Sequence, residues 1–274
     1  MTNDQNATTA SQAESSRALL SPGVWAMGAL ALLLHLVTAN GYGIFRDEMY
    51  YIACSDHLAL GYVDHPPLSI AILAAWRAIF GESLFALRIP PGIAHATTAI
   101  FFGLIARELG AARFGQCFAA LAAALMPAYL GTSSFYSMNG FDVTFWAVLV
   151  YLLCRILRTG DARLWLVFGV IAGFGLQNKF SVAFLGMALA VALVLCLQWK
   201  QLRAPQLYLG GAIALAIFLP HVYWMYSTDW ITLEFMRNAS SSKNADTNPL
   251  KYFLDQILMA HPLLLPVWIA GVVY

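Results

Sequence analysis

Charged side chains are scarce in this chain. Asp, Glu, Lys and Arg make up 11% of its 274 residues, while 60% are hydrophobic. An ordinary soluble domain carries roughly 25% charged residues, so this sequence lacks the polar surface to cover a globule of its size. The formal net charge is only +1 and no basic run appears, which excludes a general electrostatic grip on nucleic acid. Cysteine is sparse too: of Cys54, Cys117, Cys154 and Cys196, all but Cys54 fall inside long apolar runs. That argues against a disulfide framework and for small apolar residues in helix packing.

What the chain does have is long hydrophobic runs. Residues 1–17 are polar and without apolar periodicity and read as a disordered cytoplasmic tail. Residues 18–39 are apolar apart from Ser21 and His35, enough for a bilayer that needs about 20 helical residues and longer than the core of a cleaved signal peptide. Further spans are expected over 89–106, 114–130, 141–157 and 207–226, with a hairpin of 164–176 and 180–197. Residues 227–260 form a long amphipathic loop, and a last apolar helix starts at His261. The expectation is an all-α polytopic membrane domain over 18–274 with about eight spans. The stretch PPLSIAILAAWRAIF is too short to cross and suits an interfacial or re-entrant helix, with Trp76 at headgroup level and Arg77 snorkelling.

Charge sets the orientation. Arg107, Arg113, Arg155, Arg158, Arg163, Lys200 and Arg203 fall on alternate loops, with only Glu108 and Asp161 as acids beside them. By the positive-inside rule those loops are cytoplasmic. The acidic stretch GYGIFRDEMYYIACSDHLALGYVDHPPLSI, the polar segment GTSSFYSMNG, Lys179 and the late loop then emerge on the outer face. Acids this dense do not belong in hydrocarbon, where each costs at least about 2.5 kcal/mol at the bilayer centre.

Four separated segments thus converge on one outer surface, bringing together Asp47, Glu48, Asp64, His65, Asp142 and Lys179. Carboxylates beside cations next to lipid suit chemistry on an amphiphilic phosphate ester: the acid takes a proton from an attacking hydroxyl, and the cation stabilises a departing phosphate. Each residue also has a plainer reading. Asp47 and Glu48 suit the start of a helix near Met49, and Asp142 suits an N-terminal cap. Asp64-His65 fits entry into a proline-stiffened turn, and Lys179 fits snorkelling from a helix end. A divalent cation held by Asp47, Glu48 or Asp64 stays open, although no tight ligand spacing is present. His35, His95 and His221 lie on apolar helices and read as hydrogen-bonded bundle residues.

The run RDEMYYIACSDHLALGYVDHPPL followed by GESLFALRIP, and later SFYSMNGFDVTFW, GLQNKFSVAFLG and PLLLPVWIAG, resembles the GT-C glycosyltransferases of the protein mannosyltransferase and aminoarabinose transferase group. The resemblance covers most of the chain from Val24 onward. It implies transfer of a sugar from a polyprenyl-phosphate carrier to a lipid, glycan or protein acceptor, by an inverting displacement on the outer face of a bacterial inner membrane. Asp47 and Glu48 match the family's acid pair, with Asp47 as base or acceptor-positioning group, and Asp142 matches an acid at the outer start of a later helix. Asp64 and His65 match an acid followed by Lys or His before Pro-Pro, associated with the carrier phosphate, as Lys179 is. Arg46 and Tyr50 join them as substrate-binding candidates.

His65 stands where some relatives have a permanent cation, and a free imidazole is mostly neutral at pH 7. Relatives are generally longer, so a C-terminally truncated form is expected. Two rivals follow: a noncatalytic subunit that binds the carrier lipid, and a lipid or solute transporter. A transporter calls for ionisable residues at mid-membrane and an internal repeat, neither of which is visible in this sequence.

Overall fold

The computed structural model describes residues 19–242 and 248–273; the expected tail over 1–17 lies outside them. The described residues form helices joined by loops, without strands. In chain order the α-helices are α1 (Pro22–Thr38), α2 (Arg46–Ser55), α3 (Leu68–Phe80), α4 (Leu84–Glu108), α5 (Arg113–Ala124), α6 (Pro127–Ser133) and α7 (Met138–Thr159). There follow α8 (Leu164–Asn178), α9 (Ser181–Leu195), α10 (Trp199–Leu202), α11 (Pro205–Ser227), α12 (Ile231–Ser242), α13 (Pro249–Ala260) and α14 (Leu265–Val273).

By length and composition α4, α7 and α11 are able to cross a membrane, and two bent pairs raise the count to five. One pair is α5 with α6, bent by 52°, where a single span over 114–130 was expected; the other is α13 with Pro262–Val273, bent by 96°. Hydropathy along the sequence counted about eight. The difference lies in helices such as α8 and α9, each 15 residues long. At 1.5 Å per residue they reach only about 23 Å, short of a hydrocarbon core of about 30 Å. The stretch expected as a long late loop holds α12 and α13.

Packing follows from small residues. A Cβ on Gly169 of α8 would stand 2.1 Å from the Gly210 carbonyl oxygen of α11, and one on Gly210 would stand 2.2 Å from the Trp165 carbonyl oxygen. These two helices therefore meet backbone to backbone, the way helices associate in lipid, where burying apolar surface supplies no drive. The start of α1 is tied to α5 by the buried Gln116, whose Oε1 accepts from the Ser21 N–H at 2.9 Å. In contrast, α9 turns Phe184, Met187, Val191 and Leu195 outward.

Prolines shape the approach to the site. The α4 helix begins at Leu84, so Pro90 and Pro91 lie inside it rather than at the expected start. Pro90 has no N–H for the Ala86 carbonyl, and the Trp76 indole N–H donates to that oxygen at 2.8 Å. This docks α3 against α4. The Arg77 guanidinium is held by this rim: it donates to Ser55 Oγ at 2.5 Å and to Asp56 at 2.7 Å, and it also pairs with Glu82.

The charged groups sort to two ends. On α4, Arg88 and Glu108 lie 20 residues apart, about 30 Å along a helix. At the far end Glu108 takes a bond from Arg107 at 3.0 Å, pairs with Arg158 and faces Arg155 of α7 at 3.9 Å. At the near end lie Arg88, the acidic stretch and the starts of α7 and α9.

Candidate active site at one rim of the bundle

Glu48 anchors the acidic stretch. Its helix starts at Arg46, earlier than Met49, which puts both acids of the pair in the first turn, where negative charge is favoured. Glu48 is wholly buried and its carboxylate is saturated. Oε1 accepts from Arg88 Nε at 2.9 Å and from the Tyr136 N–H at 3.2 Å. Oε2 accepts from Arg88 Nη2 at 2.7 Å and from the Phe45 N–H at 2.8 Å. The remaining Arg88 donors go to the carbonyls of Ala39 at 2.5 Å, Tyr42 at 3.2 Å and Gly43 at 2.8 Å, so all five guanidinium N–H groups are placed. The guanidinium also lies 3.9 Å from the Tyr42 ring centroid.

Above this pair a cavity of about 830 Å³ opens, lined by Arg46, Asp47, Tyr50, Tyr51 and Asp64, by residues 137–139, and by Phe235 of α12. Asp47 is partly exposed there, and Oδ1 accepts from Arg46 Nε at 3.2 Å. The Tyr50 hydroxyl donates to Asp64 Oδ1 at 2.6 Å. Burial, with Asp64 as the second cause, holds the Tyr50 phenol above its ordinary pKa, and burial does the same for Tyr51. Both phenols therefore stay hydrogen-bond donors at neutral pH.

Asp142 and Lys179 stand one step behind this wall. Lys179 Nζ donates to Asn139 Oδ1 at 2.8 Å and lies 3.5 Å from Asp142 Oδ2. Asp142 also accepts from the Ser181 hydroxyl, which in turn takes the Trp146 indole N–H at 3.1 Å. Asp142 and Ser181 form part of the wall of a second, mostly apolar groove of about 550 Å³, which continues along Val143, Ala147 and Val150 of α7. The relay Asn139–Lys179–Asp142 thus joins a polar cavity to an apolar groove.

His65 lies next to the cavity residue Asp64, with Nε2 at 3.8 Å from its Oδ1. It is fully buried and absent from the cavity wall. Its ring stacks on Tyr51 at 4.9 Å, and Nδ1 donates to the Pro66 carbonyl at 2.9 Å. The structure therefore gathers Arg46, Asp47, Tyr50 and Asp64 in one cavity, puts Lys179 behind Asn139 of its wall and Asp142 on the neighbouring groove, and buries Glu48 and His65. Sequence reasoning had assigned no role to Arg88, Asn139 or Ser181. All three lie within runs that carry the resemblance: Arg88 in GESLFALRIP, Asn139 in SFYSMNGFDVTFW and Ser181 in GLQNKFSVAFLG. Among the described residues no three His, Cys, Asp or Glu side chains cluster as a metal site.

A helical membrane bundle with a carboxylate-lined cavity at one rim and an apolar groove beside it has the architecture of a GT-C glycosyltransferase. The chain belongs to the dolichyl-phosphate-mannose-protein mannosyltransferase family, whose model matches residues 64–224. Among curated relatives, an undecaprenyl phosphate-alpha-4-amino-4-deoxy-L-arabinose arabinosyl transferase of Pseudomonas aeruginosa is 27% identical over 219 residues, covering 73% of this chain and 39% of that protein. The lipopolysaccharide core galacturonosyltransferase RgtA of Rhizobium johnstonii is 26% identical over 204 residues, covering 72% of this chain and 39% of that protein. The chain thus spans well under half the length of these two relatives. A solved structure of the Saccharomyces cerevisiae protein O-mannosyltransferase Pmt1-Pmt2 complex bound to the sugar donor superposes with a TM-score of 0.53 at 16% identity, over 82% of this chain and 35% of that one. At that identity the likeness concerns the fold.

Proposed function

We propose that this protein transfers a sugar from a polyprenyl-phosphate carrier to an acceptor hydroxyl or phosphate on the outer face of a bacterial inner membrane. The observation that carries the reading is the link from polar cavity to apolar groove through Asn139, Lys179 and Asp142. An amphiphilic donor matches that arrangement: sugar in the cavity, phosphate at the Lys179 ammonium, isoprenoid along α7. The relatives named for undecaprenyl-phosphate and lipopolysaccharide chemistry support the class of substrate. Clustering of Arg107, Arg155 and Arg158 at the opposite end supports the orientation under the positive-inside rule.

The reaction is a single displacement with inversion. Asp47 takes the proton from the acceptor O–H as that oxygen bonds to the anomeric carbon. The carbon–oxygen bond to the phosphate breaks, its electron pair stays on the phosphate, and Lys179 stabilises the charge that develops there. Asp64 is held by Tyr50 and orients sugar hydroxyls, while Glu48 acts at a distance by holding the start of α2 through Arg88.

The test is Asp47→Asn in membranes supplied with a radiolabelled polyprenyl-phosphate sugar and extracted lipid acceptors. Loss of a positioned base lowers the rate by about 10² to 10⁴, and transfer within a few-fold of the parent sinks the assignment. A parent chain that binds the lipid donor but transfers nothing is instead a carrier-binding subunit.

A further inference from the structure

The loop that presents Asp64, between α2 and α3, is held mostly by short-range bonds. The single Tyr62 hydroxyl proton is shared between the carbonyls of His57 at 3.0 Å and Cys54 at 3.2 Å, and the Tyr62 N–H donates to the His65 carbonyl at 3.0 Å. One tie comes from 161 residues away: His221 Nδ1 lies 3.1 Å from the Leu60 carbonyl oxygen. A carbonyl only accepts, so the proton sits on Nδ1.

His221 is built in for that bond. It is fully buried on α11, stacked on Trp224 with ring centroids 5.7 Å apart, and packed against Phe180 at 5.4 Å and Phe218 at 5.5 Å. The loop in turn is cut to fit. A Cβ on Gly61 would lie 2.4 Å from Trp224 Cε3 and 2.5 Å from His221 Nδ1, so a side chain there cannot pass without lifting the loop from α11. The bond thus ties the loop to α11, which continues through Asp229 and Trp230, both at positive φ, into α12 with the cavity residue Phe235.

We propose that His221 is a positioning residue for the polar cavity. It latches the acidic loop onto α11 and so sets where Asp64 and its partner Tyr50 face. The consequence for sugar transfer rests on the function proposed above; the latch itself does not.

Hydrogen–deuterium exchange of the full chain in nanodiscs tests the latch without any substrate. His221→Leu removes the donor, and Gly61→Ala leaves His221 in place but forces the loop away. Both are expected to speed amide exchange across residues 57–65 by about tenfold, the effect of losing one part-buried hydrogen bond, with α4 peptides unchanged. His221→Asn keeps an N–H donor near the Nδ1 position and restores protection. Unchanged exchange over 57–65 in both the Leu and Gly61→Ala variants overturns the proposal, as does an Asn variant that exchanges as fast as the Leu one. If His221→Leu unfolds, shown by fast exchange in α4 as well, the Gly61→Ala comparison decides. In transfer assays the loosened variants lose kcat/KM and the Asn variant regains it; a loosened loop with unaltered transfer kinetics overturns the positioning role. A parent chain without transfer but with the expected exchange pattern counts against the proposed function and leaves the latch standing.

Discussion

Replacing Arg88 by Leu removes the partner of a carboxylate that has no access to water. Glu48 loses two of its four bonds and keeps those from the Phe45 and Tyr136 N–H groups. Breaking a buried ion pair from one side costs about 3–5 kcal/mol, because the remaining charge is uncompensated. Those two backbone donors pull the expectation to the lower end, about 3 kcal/mol. Of the three released carbonyls, those of Tyr42 and Gly43 belong to exposed residues, where water takes the donor's place, so little is added. Glu48→Leu alone strands the guanidinium, which still has three carbonyls and the Tyr42 ring. The double variant strands neither charge. Its cost therefore falls below the sum of the singles by a coupling of about 2–3 kcal/mol, the upper part of the range for contacting residues. Unfolding in mixed SDS micelles, followed by Trp fluorescence, measures all four corners of the cycle. Additive single effects, within about 0.5 kcal/mol, refute the claim that Glu48 and Arg88 form one closed unit.

Other consequences are as direct. Lys179→Met leaves the donor phosphate without its ammonium, and kcat/KM for the lipid-linked sugar is expected to fall by about 10²–10³, the effect of losing one charge-stabilising donor; the lipid-donor titration reads it. Gly169→Leu drives a side chain into the Gly210 carbonyl and is expected to prevent α8 from docking on α11, seen as loss of the monodisperse peak in detergent size exclusion, whereas Gly186→Leu on α9, with nothing nearby, leaves it intact. Tyr50 and Tyr51 keep their protons in the folded chain at pH values where unfolded tyrosines lose theirs, near pH 10. Above that pH the native state binds more protons than the unfolded one, so stability falls as pH rises. Tyr50→Phe is expected to flatten that alkaline loss, and phenolate absorbance is expected to show the parent's Tyr50 titrating above the range of tyrosine in the unfolded chain.

Local pattern in the sequence was enough for the membrane class, for the family resemblance through RDE, DHPP and GESLFALRIP, and for the gathering of ionisable groups at one rim. Each of these depends on hydropathy, charge asymmetry or short spacing, which a linear chain carries in full. Roles within the acidic group were not legible in this way. Asp47 and Glu48 are neighbours of the same chemical type, yet a helix beginning at Arg46 turns one to the cavity and the other onto Arg88, 40 residues away. His65 reads in the sequence as an exposed neighbour of Asp64, but the fold buries its ring on Tyr51 and ties Nδ1 to the Pro66 carbonyl. Asn139 and Ser181 acquire partners only when the start of α7 meets the start of α9, and His221 only when α11 meets the loop between α2 and α3. Hydrophobicity and net charge are summed over segments and survive without a fold. Which carboxylate is saturated and which is left free depends on donors brought from distant segments, and only the packed bundle supplies them.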